Sequence, residues 1–375
     1  MKLVFVIKAI GNKGGGAERV FCQVASGLAM RGHDVLVLSS DSEEATPYYP
    51  LEKSIRRRAI PVGDVAGRSS FIDVVRRISS WRRLIRAEKP DVVIGFMHST
   101  YIPLGLALLG TGIPLVASEH IGPEHYASRA AERFLLRLTP FVASRITAVS
   151  SQIKNAFPAW MRKKMVVIPN PVVIEAERSP RDRRSQRKIV LSVGRLNEQK
   201  DHKTLISAFA ICIKQCPDWV LRIIGEGALR NELEQMVEGL GLSSHVEMPG
   251  ATSEIHSEYR AADLFVMPSL YESFGLATAE ALLHGLPAVG FSDCAGTNEL
   301  IVDGVNGRLV VGNDRVASLA EVLGALMADP EARATVARSP RSDIADRFGL
   351  PGILDEWERV LAASTAVSNQ STAGG

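Results

Sequence analysis

Two glutamates lie eight residues apart in the segment LYESFGLATAEALLHGLP, residues 270–287. Glu272 precedes a stretch of helix-forming residues, and Glu280 lies inside that stretch among alanines, leucines and a threonine. A carboxylate among small apolar side chains is costly to bury unless something hydrogen-bonds to it. The two adjacent hydroxyls of a ribose would do so, and an ion pair with a core arginine is the structural alternative.

The same segment contains a well-marked helix. The pattern predicts a start at about residues 273–275 and an end before Gly285, which is followed by Pro287. Gly275 would expose backbone N–H groups at the positive end of this helix, which suits a phosphate. A phosphate next to a ribose-binding carboxylate would make a nucleotide site.

Two cations follow a predicted strand in the segment VGRLNEQKD. Arg195 and Lys200 could clamp a diphosphate, a role that a metal ion often fills. The chain contains no Asp-x-Asp pair to hold Mg²⁺ or Mn²⁺, so we expect neither a metal nor another cofactor. Taken alone, the two cations fit a solvated protein surface equally well.

A glycine-rich loop follows the first predicted strand. Gly14, Gly15 and Gly16 in IGNKGGGAER could let backbone N–H groups approach a phosphate at a helix start. Arg19 stands where a dinucleotide fingerprint needs glycine, although Asp41 closes the next strand where a ribose-binding acid would lie. The loop indicates an anionic ligand or a structural turn.

Near-continuous apolar runs alternate with helical segments along the chain. This order predicts an α/β protein with two doubly wound, Rossmann-like domains, because buried parallel strands are apolar throughout. A polar connector, EAERSPRDRRSQR, separates the two series. We expect an N-terminal domain at 1–172, a C-terminal domain at 186–346 and a disordered tail at 364–375. Ligands of such sheets bind outside the carboxyl ends of the strands, so the cleft between the domains is the expected site.

Composition and charge narrow the class further. The 375 residues are 46% hydrophobic, and the four cysteines lack metal-site spacing, which fits a reducing cytoplasm. The uncharged stretch 99–118 is interrupted by Pro103, Gly110, Gly112 and Pro114, which argues against a membrane span. Residues 1–170 have 24 Lys and Arg against 13 Asp and Glu, a net +11. The N-terminal half is therefore suited to an anionic partner.

Part of that charge lies on a predicted helix, FIDVVRRISSWRRLIRAEK. Phe71, Val75, Ile78 and Ile85 would share one face, with Trp81 at its edge. A neighbouring face would hold three arginines: Arg76, Arg83 and Arg86. The arrangement suits an anionic membrane surface, whereas an ordinary surface helix packed on its own sheet is the alternative.

Taken together, the motifs resemble family 4 of the retaining glycosyltransferases, which have the GT-B fold. The resemblance rests on YESFGLATAEALLHGLP, GRLNEQKD, GEGALRNELE, GTNELIVDGVNGRLV and GGGAERV in the family's order. VASEHIGP and GTNELI resemble bacterial members that extend lipid-linked saccharides for surface polysaccharides and glycans. The family also implies a last helix, at about 347–363, that returns to the N-terminal domain.

The resemblance implies roles for individual residues. Arg195 and Lys200 match the pair on the donor diphosphate, Glu280 the ribose-binding glutamate, and Glu272 the glutamate near the transferred sugar. His120 matches a position near the reaction centre, where many relatives have Arg-Asn in place of His120-Ile121. The remaining donor-binding matches are Gly15, Gly16, Ser273, Phe274, Gly275 and Leu276.

The resemblance implies a metal-independent, retaining transferase that moves a sugar from a nucleotide sugar, UDP-linked rather than GDP-mannose, to a lipid-linked saccharide. We expect it on the inner face of the membrane, with no nucleic-acid partner. A nucleotide-sugar epimerase or dehydrogenase is disfavoured because the glycine fingerprint and a Tyr-x-x-x-Lys pair are missing. A non-catalytic sugar-nucleotide-binding protein is the other alternative.

Overall fold

The computed structural model describes residues 1–11, 15–42, 44–61, 71–123, 129–173, 187–337 and 341–372. The chain forms two compact units. Unit 1 comprises Met1–Pro171 together with Leu350–Gly375, and unit 2 comprises Val172–Gly349. The predicted connector falls largely on 174–186, outside the described residues.

Unit 1 is built on a seven-stranded parallel sheet of order β3-β2-β1-β4-β5-β6-β7. The strand order reverses direction beside β1, as in a doubly wound fold. The strands are β1 (Lys2–Ile7), β2 (Asp34–Ser39), β3 (Arg56–Ala59), β4 (Val92–Phe96), β5 (Leu115–Glu119), β6 (Arg145–Ala148) and β7 (Met165–Val167).

Helices cover both faces of this sheet. They are α1 (Gly16–Met30), α2 (Phe71–Glu88), α3 (His98–Leu108), α4 (Ala130–Val142), α5 (Ser151–Ala156), α6 (Ala159–Arg162) and, after unit 2, α15 (Leu350–Thr372). Right-handed crossovers put α1 on one face and α2, α3 and α4 side by side on the other. The last helix, α15, packs against α1, where Gly27 leaves room for Leu354. Its Ile353, Trp357 and Leu361 are buried as one stripe, so α15 is amphipathic.

Two sequence expectations for unit 1 are wrong, and one strand was not predicted. Strand β3 was missed because its sequence, RRRA, lacks an apolar run, and an edge strand needs none. Trp81 is fully buried rather than at an edge, since α2 turns Trp81 and Ile85 toward the sheet and leaves Val75 exposed. The tail is helical to Thr372, and no glycine or proline lies between Ile353 and Gly374 to interrupt the helix.

Unit 2 is a second parallel sheet, of order β10-β9-β8-β11-β12-β13. Its strands are β8 (Lys188–Val193), β9 (Trp219–Ile224), β10 (Val246–Gly250), β11 (Leu264–Met267), β12 (Ala288–Phe291) and β13 (Gly307–Val310). Its helices are α7 (His202–Cys212), α8 (Arg230–Gly239), α9 (Ile255–Ala261), α10 (Leu276–Leu283), α11 (Ala295–Asn298), α12 (Arg315–Ala328), α13 (Pro330–Val336) and α14 (Arg341–Phe348).

The two sheets repeat one topology, so the predicted pair of Rossmann-like domains is confirmed. In each, the strand order reverses beside the first strand of the unit, β1 or β8. The loops that follow the central strands are therefore the places where ligand-binding residues are expected. Within the described residues, no helix is both long enough and apolar enough to span a membrane.

Candidate active site

A lysine and a glutamate meet where two adjacent strands of unit 2 end. Lys200 closes a 3-10 turn, Glu198–Lys200, in the loop after β8, and Glu272 lies in the loop after β11. Lys200 Nζ donates to Glu272 Oε1, which also accepts from Ser269 Oγ at 2.8 Å. Both side chains are at least 86% buried, with exposures of 14% and 10%. The sequence predicted both residues in one site but not their direct ion pair.

Glycines let the backbone fit tightly around this pair. A Cβ at Gly194 would lie 3.1 Å from Lys200 Cδ, and one at Gly296 would lie 2.8 Å from the backbone oxygen of Glu272. Gly296 N also donates to that oxygen at 3.0 Å. The glycines therefore fix the backbone that positions Lys200 and Glu272.

Arg315, at the start of α12, fixes the same loops and was missed from the sequence. Its guanidinium donates to the carbonyl oxygens of Pro268 and Ser269 at 2.9 and 3.1 Å, and it pairs with Asp201 at 3.4 Å. It also lies 3.5 Å from the ring centroid of Phe291. A cation 46 residues beyond Ser269 gives no local sequence signal, because only the order of the strands brings it close.

Glu280 is buried on α10, at 4% exposure, and accepts a hydrogen bond from a tyrosine. Tyr259 Oη donates to Glu280 Oε2 at 3.0 Å. The ring of Tyr259 stacks on His284, whose Nε2 is 2.9 Å from His256 Nδ1. The hydroxyl of Tyr259 is therefore one partner of the Glu280 carboxylate, and it contributes no charge to the site.

The start of α10 presents its backbone, as the sequence predicts. Gly275 caps the helix at φ 85°, a left-handed conformation that glycine adopts readily. The first N–H groups of any helix lack intrahelical acceptors. In α10 these groups come shortly after Ser273 in the chain. Phe274 is buried against Phe348, with ring centroids 5.3 Å apart, so only its backbone is available to a ligand. Leu276 is half-buried.

Arg195 is exposed in the loop after β8. That loop is fixed by backbone hydrogen bonds with the loop after β9, since Leu196 N donates to Glu226 O at 2.9 Å and Leu229 N to Leu196 O at 3.0 Å. Gly227 permits this approach, because a Cβ there would lie 2.2 Å from Leu196 O. The predicted cation pair is thus one exposed arginine and one buried, paired lysine.

The glycine loop of unit 1 leads into α1. Gly15 is the N-cap and Gly16 the first helical residue, while Gly14 lies outside the described residues. Asp41 Oδ2 accepts from Ile10 N at 2.7 Å and Gly11 N at 2.9 Å. Burial opposes its ionisation, but these bonds, a bond from Ser39 and the charge of Arg57 outweigh burial and lower the pKa of Asp41. Asp41 therefore fixes the backbone of Ile10 and Gly11, which follow β1.

His120 follows β5 and is almost fully buried. Its Nε2 lies 3.0 Å from Ser118 Oγ, and its ring stacks on Phe96 at 5.0 Å. Burial lowers the pKa of His120 to about 4, and a hydrogen bond with Asn170 opposes the shift only in part. The imidazole is neutral at pH 7, so it can accept or donate a hydrogen bond but adds no charge.

Glu119, the residue before His120, was not predicted as functional. Its Oε1 accepts from the backbone N–H groups of His120 and Ile121 at 3.0 Å each, and Tyr101 donates to Oε2. Burial raises the pKa of Glu119 to about 7, although these hydrogen bonds act in the opposite direction. The sequence offered one indication that Glu119 is unusual, namely that an acidic residue ends an otherwise uncharged, buried strand.

Two family models match successive parts of the chain. "Glycosyltransferase Family 4" matches residues 14–176 and "Glycosyl transferases group 1" matches residues 173–342. The chain is a family 4 glycosyltransferase. Among the described residues of this glycosyltransferase, no group of three His, Cys, Asp or Glu side chains could hold a metal ion.

Curated relatives align over nearly the whole glycosyltransferase. One, from Campylobacter jejuni, is the GalNAc-alpha-(1->4)-GalNAc-alpha-(1->3)-diNAcBac-PP-undecaprenol alpha-1,4-N-acetyl-D-galactosaminyltransferase. It is 26% identical over 96% of this chain and 98% of its own length. The amylovoran biosynthesis glycosyltransferase AmsD of Erwinia amylovora is 27% identical, over 96% and 99%. The relatives therefore include bacterial glycosyltransferases of polysaccharide and lipid-linked glycan synthesis.

Solved structures share the fold. Anabaena HepE, in complex with UDP and glucose, has a TM-score of 0.76 at 23% identity and covers 96% of this chain and 99% of its own. WaaG, a glycosyltransferase involved in lipopolysaccharide biosynthesis, has a TM-score of 0.73 at 20% identity, with coverages of 96% and 99%. The GT-B fold predicted from the sequence is confirmed.

Proposed function

We propose that this glycosyltransferase moves a sugar from a UDP-sugar to a lipid-linked saccharide, with retention of the anomeric configuration and without a metal ion. The observation that carries the proposal is the largely buried Lys200–Glu272 pair. Lys200 lies in the loop after β8, and Glu272 lies in the loop after β11 that leads into α10. A cation and a helix start can bind the diphosphate of a nucleotide sugar, and a carboxylate can bind the hydroxyls of its sugar.

Lys200, Arg195 and the first N–H groups of α10 would bind the diphosphate and stabilise the charge that develops as it leaves. The bond between the anomeric carbon and the diphosphate oxygen breaks while the acceptor hydroxyl bonds to the same face of that carbon. The acceptor's proton passes to the leaving phosphate oxygen. The protein supplies position and charge, and the reaction needs no covalent intermediate.

The remaining site residues would orient the donor. Glu280 would accept hydrogen bonds from the two ribose hydroxyls, and Glu272 would bind the transferred sugar. In unit 1, Gly15 and Gly16 would contact the donor phosphates, and neutral His120 would contact the sugar or the acceptor. The UDP in the Anabaena HepE complex supports uridine over guanosine.

The acceptor proposal rests on the relatives and on charge. The Campylobacter relative is named for an undecaprenol-linked acceptor, and unit 1 carries most of the positive charge. We infer that unit 1 docks on an anionic membrane surface, with Arg76, Arg83 and Arg86 exposed on α2. Each such residue adds roughly 1 kcal/mol near the surface.

A donor panel tests the proposal. The protein is incubated with UDP- and GDP-sugars, with and without undecaprenyl-diphosphate saccharides, and released nucleotide is measured. UDP release that rises with acceptor is the expected result, and Lys200→Ala serves as the inactive control. Release of GDP alone would overturn the donor assignment. An altered sugar still attached to its nucleotide would instead indicate an epimerase or a dehydrogenase, and binding without turnover a non-catalytic protein.

A further inference from the structure

Exposed apolar side chains cluster on α4 and α6 of unit 1. Phe134 and Phe141 are 62% and 76% exposed, and Leu138 lies between them on the same side of α4. Trp160, on α6, is 44% exposed, with its ring centroid 6.1 Å from that of Phe141. We call these four residues the aromatic patch.

The aromatic patch lies on a well-defined helix face and not at a frayed helix end. Residues 134, 138 and 141 have the i, i+4, i+7 spacing of one helix face. Leu136 and Thr139 are buried on the other face. Lys164 Nζ donates to the carbonyl oxygens of Pro140 and Ala143 at 2.6 and 3.1 Å, which fixes the end of α4 next to the segment carrying Trp160. Large exposed apolar groups at a fixed position mark an interaction surface.

The charge around the patch selects its partner. Residues 129–164 contain eight Lys and Arg side chains and a single acidic one, Glu132. Arg133 and Arg137 are exposed on α4, beside the phenylalanines. An apolar face with aromatic residues and flanking arginines is typical of helices that lie in the interface of an anionic bilayer. Tryptophan in particular prefers the headgroup level of a membrane.

We propose that the aromatic patch inserts into the interface of an anionic bilayer and anchors unit 1 there. This inference rests on the proposed function in one respect, namely that the acceptor saccharide is linked to a lipid of that bilayer. The arginines of α2, which lies in the same helical layer, would add attraction at a distance. By contrast, α2 buries Trp81 and Ile85 and has no exposed aromatic side chain among its described ones to insert.

Tryptophan fluorescence offers a direct test, because all four tryptophans lie in the described residues. Trp81, Trp219 and Trp357 are at most 2% exposed, so Trp160 alone can meet a lipid. Phosphatidylglycerol vesicles with brominated acyl chains should quench the wild-type protein and leave Trp160→Phe unquenched. Flotation with vesicles that lacks this quenching would place the contact elsewhere and overturn the inference.

Flotation with matched variants completes the experiment. Phe134→Ser/Phe141→Ser should bind anionic vesicles roughly tenfold or more weakly. Met30→Ser/Val311→Ser, which removes two equally exposed apolar side chains elsewhere, should bind as the wild type does. Arg133→Gln/Arg137→Gln should bind more weakly, and high salt should weaken the wild type. Thermal melting checks that each variant is folded.

Each contrary result has a distinct meaning. Equal flotation of the phenylalanine variant, or equal binding to neutral phosphatidylcholine vesicles, would overturn the inference. A dimer in sedimentation that the phenylalanine variant converts to monomer, without flotation, would assign the patch to a second copy instead. UDP release from a donor in the absence of lipid measures the proposed transfer site independently. A protein that releases UDP but does not float would refute the anchor alone.

Discussion

At the scale of single residues, the centre of the site is a cation that is held by an acid. Lys200 is buried beside Glu272, whereas Arg195 is exposed in the same loop. An ammonium fixed by one carboxylate and aligned with strand ends is pre-organised for a diphosphate, since it needs little reorientation when charge develops. In the proposed mechanism, Lys200 would therefore supply most of the leaving-group stabilisation.

Replacing Lys200 tests that assignment. Lys200→Ala should lower kcat on the order of 10²-fold or more, because it removes a positioned cation from the transition state. The matched control is Lys203→Ala, since Lys203 pairs on the surface with Glu198 and Glu232. The control should keep full activity. Equal losses in both variants would show that the effect is not specific to the site.

Glu280 gives a second test, through binding rather than turnover. Glu280→Gln keeps the shape of the side chain and an oxygen for the hydroxyl of Tyr259, so melting should change little. UDP affinity should fall, because the variant lacks the carboxylate that we propose accepts hydrogen bonds from the ribose hydroxyls. If Glu280 were instead half of a buried structural ion pair, breaking that pair would lower the free energy of unfolding by ~3–5 kcal/mol. A large loss of stability with unchanged UDP affinity, measured by melting and calorimetry, would refute the ribose role.

Glu119 predicts a pH dependence of stability. Burial raises its pKa to about 7 in the folded chain, above the ordinary value of 4.5. The folded state therefore binds this proton more tightly, so the contribution is present below pH 4.5 and is lost as pH rises through 7. Glu119→Gln mimics the protonated acid and should become progressively more stable than the wild type over that range, by on the order of 3 kcal/mol.

Denaturant unfolding of both proteins at pH 5 and pH 8 measures the difference. The low pKa values of His120 and His202, each about 4 through burial, destabilise the fold as pH falls from 6.5. Both proteins share those histidines, so their effect cancels in the comparison. A difference that is constant with pH would show that Glu119 is ionised in the fold at every pH tested.

The sequence drew attention to Lys200, Glu272 and Glu280 but not to the more distant residues that contact their loops and side chains. Glu280 stood out because a carboxylate among alanines has no local reason to be buried. Tyr259, which bonds to it, is 21 residues away. Arg315, which donates to the carbonyl oxygen of Ser269, is 46 residues beyond Ser269. Contacts of that kind depend on strand order, which local composition does not encode.

At the scale of elements, the start of α10 is where backbone conformation and ligand chemistry coincide. Gly275 has φ 85°, and a Cβ there would meet Leu300 only at ordinary contact distance, 3.4 Å. Substitution would thus strain the backbone without a clash. The fold needs the glycine for its conformation, and the proposed phosphate site needs it for the direction of the N–H groups.

Gly275→Ala should cost roughly 1–2 kcal/mol of stability, the penalty of a left-handed conformation for an alanine. Gly304→Ala is the matched control, because Gly304 has φ 74° and open space around it. Both variants should lose similar stability in denaturant unfolding. Only Gly275→Ala should also weaken UDP binding in calorimetry, and equal UDP affinities would remove α10 from the phosphate site.

Apolar runs were sufficient to predict two parallel sheets, because buried parallel strands are apolar on both faces. They failed for β3, whose RRRA sequence pairs with β2 only at the sheet edge. The apolar residues of α2 also did not determine which face of this helix packs on the sheet. Trp81 lies inward because burying so large a ring outweighs placing it beside the exposed arginines.

At the scale of the whole molecule, two sheets of one topology supply different chemistry. Unit 2 carries the buried Lys200–Glu272 pair and Glu280, and unit 1 carries neutral His120 and most of the positive charge. A donor held by unit 2 and an acceptor brought to the membrane by unit 1 would make a transferase that works at a lipid surface.

The anomeric configuration of the product tests this account most directly. Proton NMR would follow transfer from an α-linked UDP-sugar to an undecaprenyl-diphosphate saccharide in excess EDTA. The account predicts an α-linked product formed at an undiminished rate, because Lys200 and the start of α10 bind the diphosphate. A β-linked product, or activity abolished by EDTA and restored by Mg²⁺ or Mn²⁺, would contradict it.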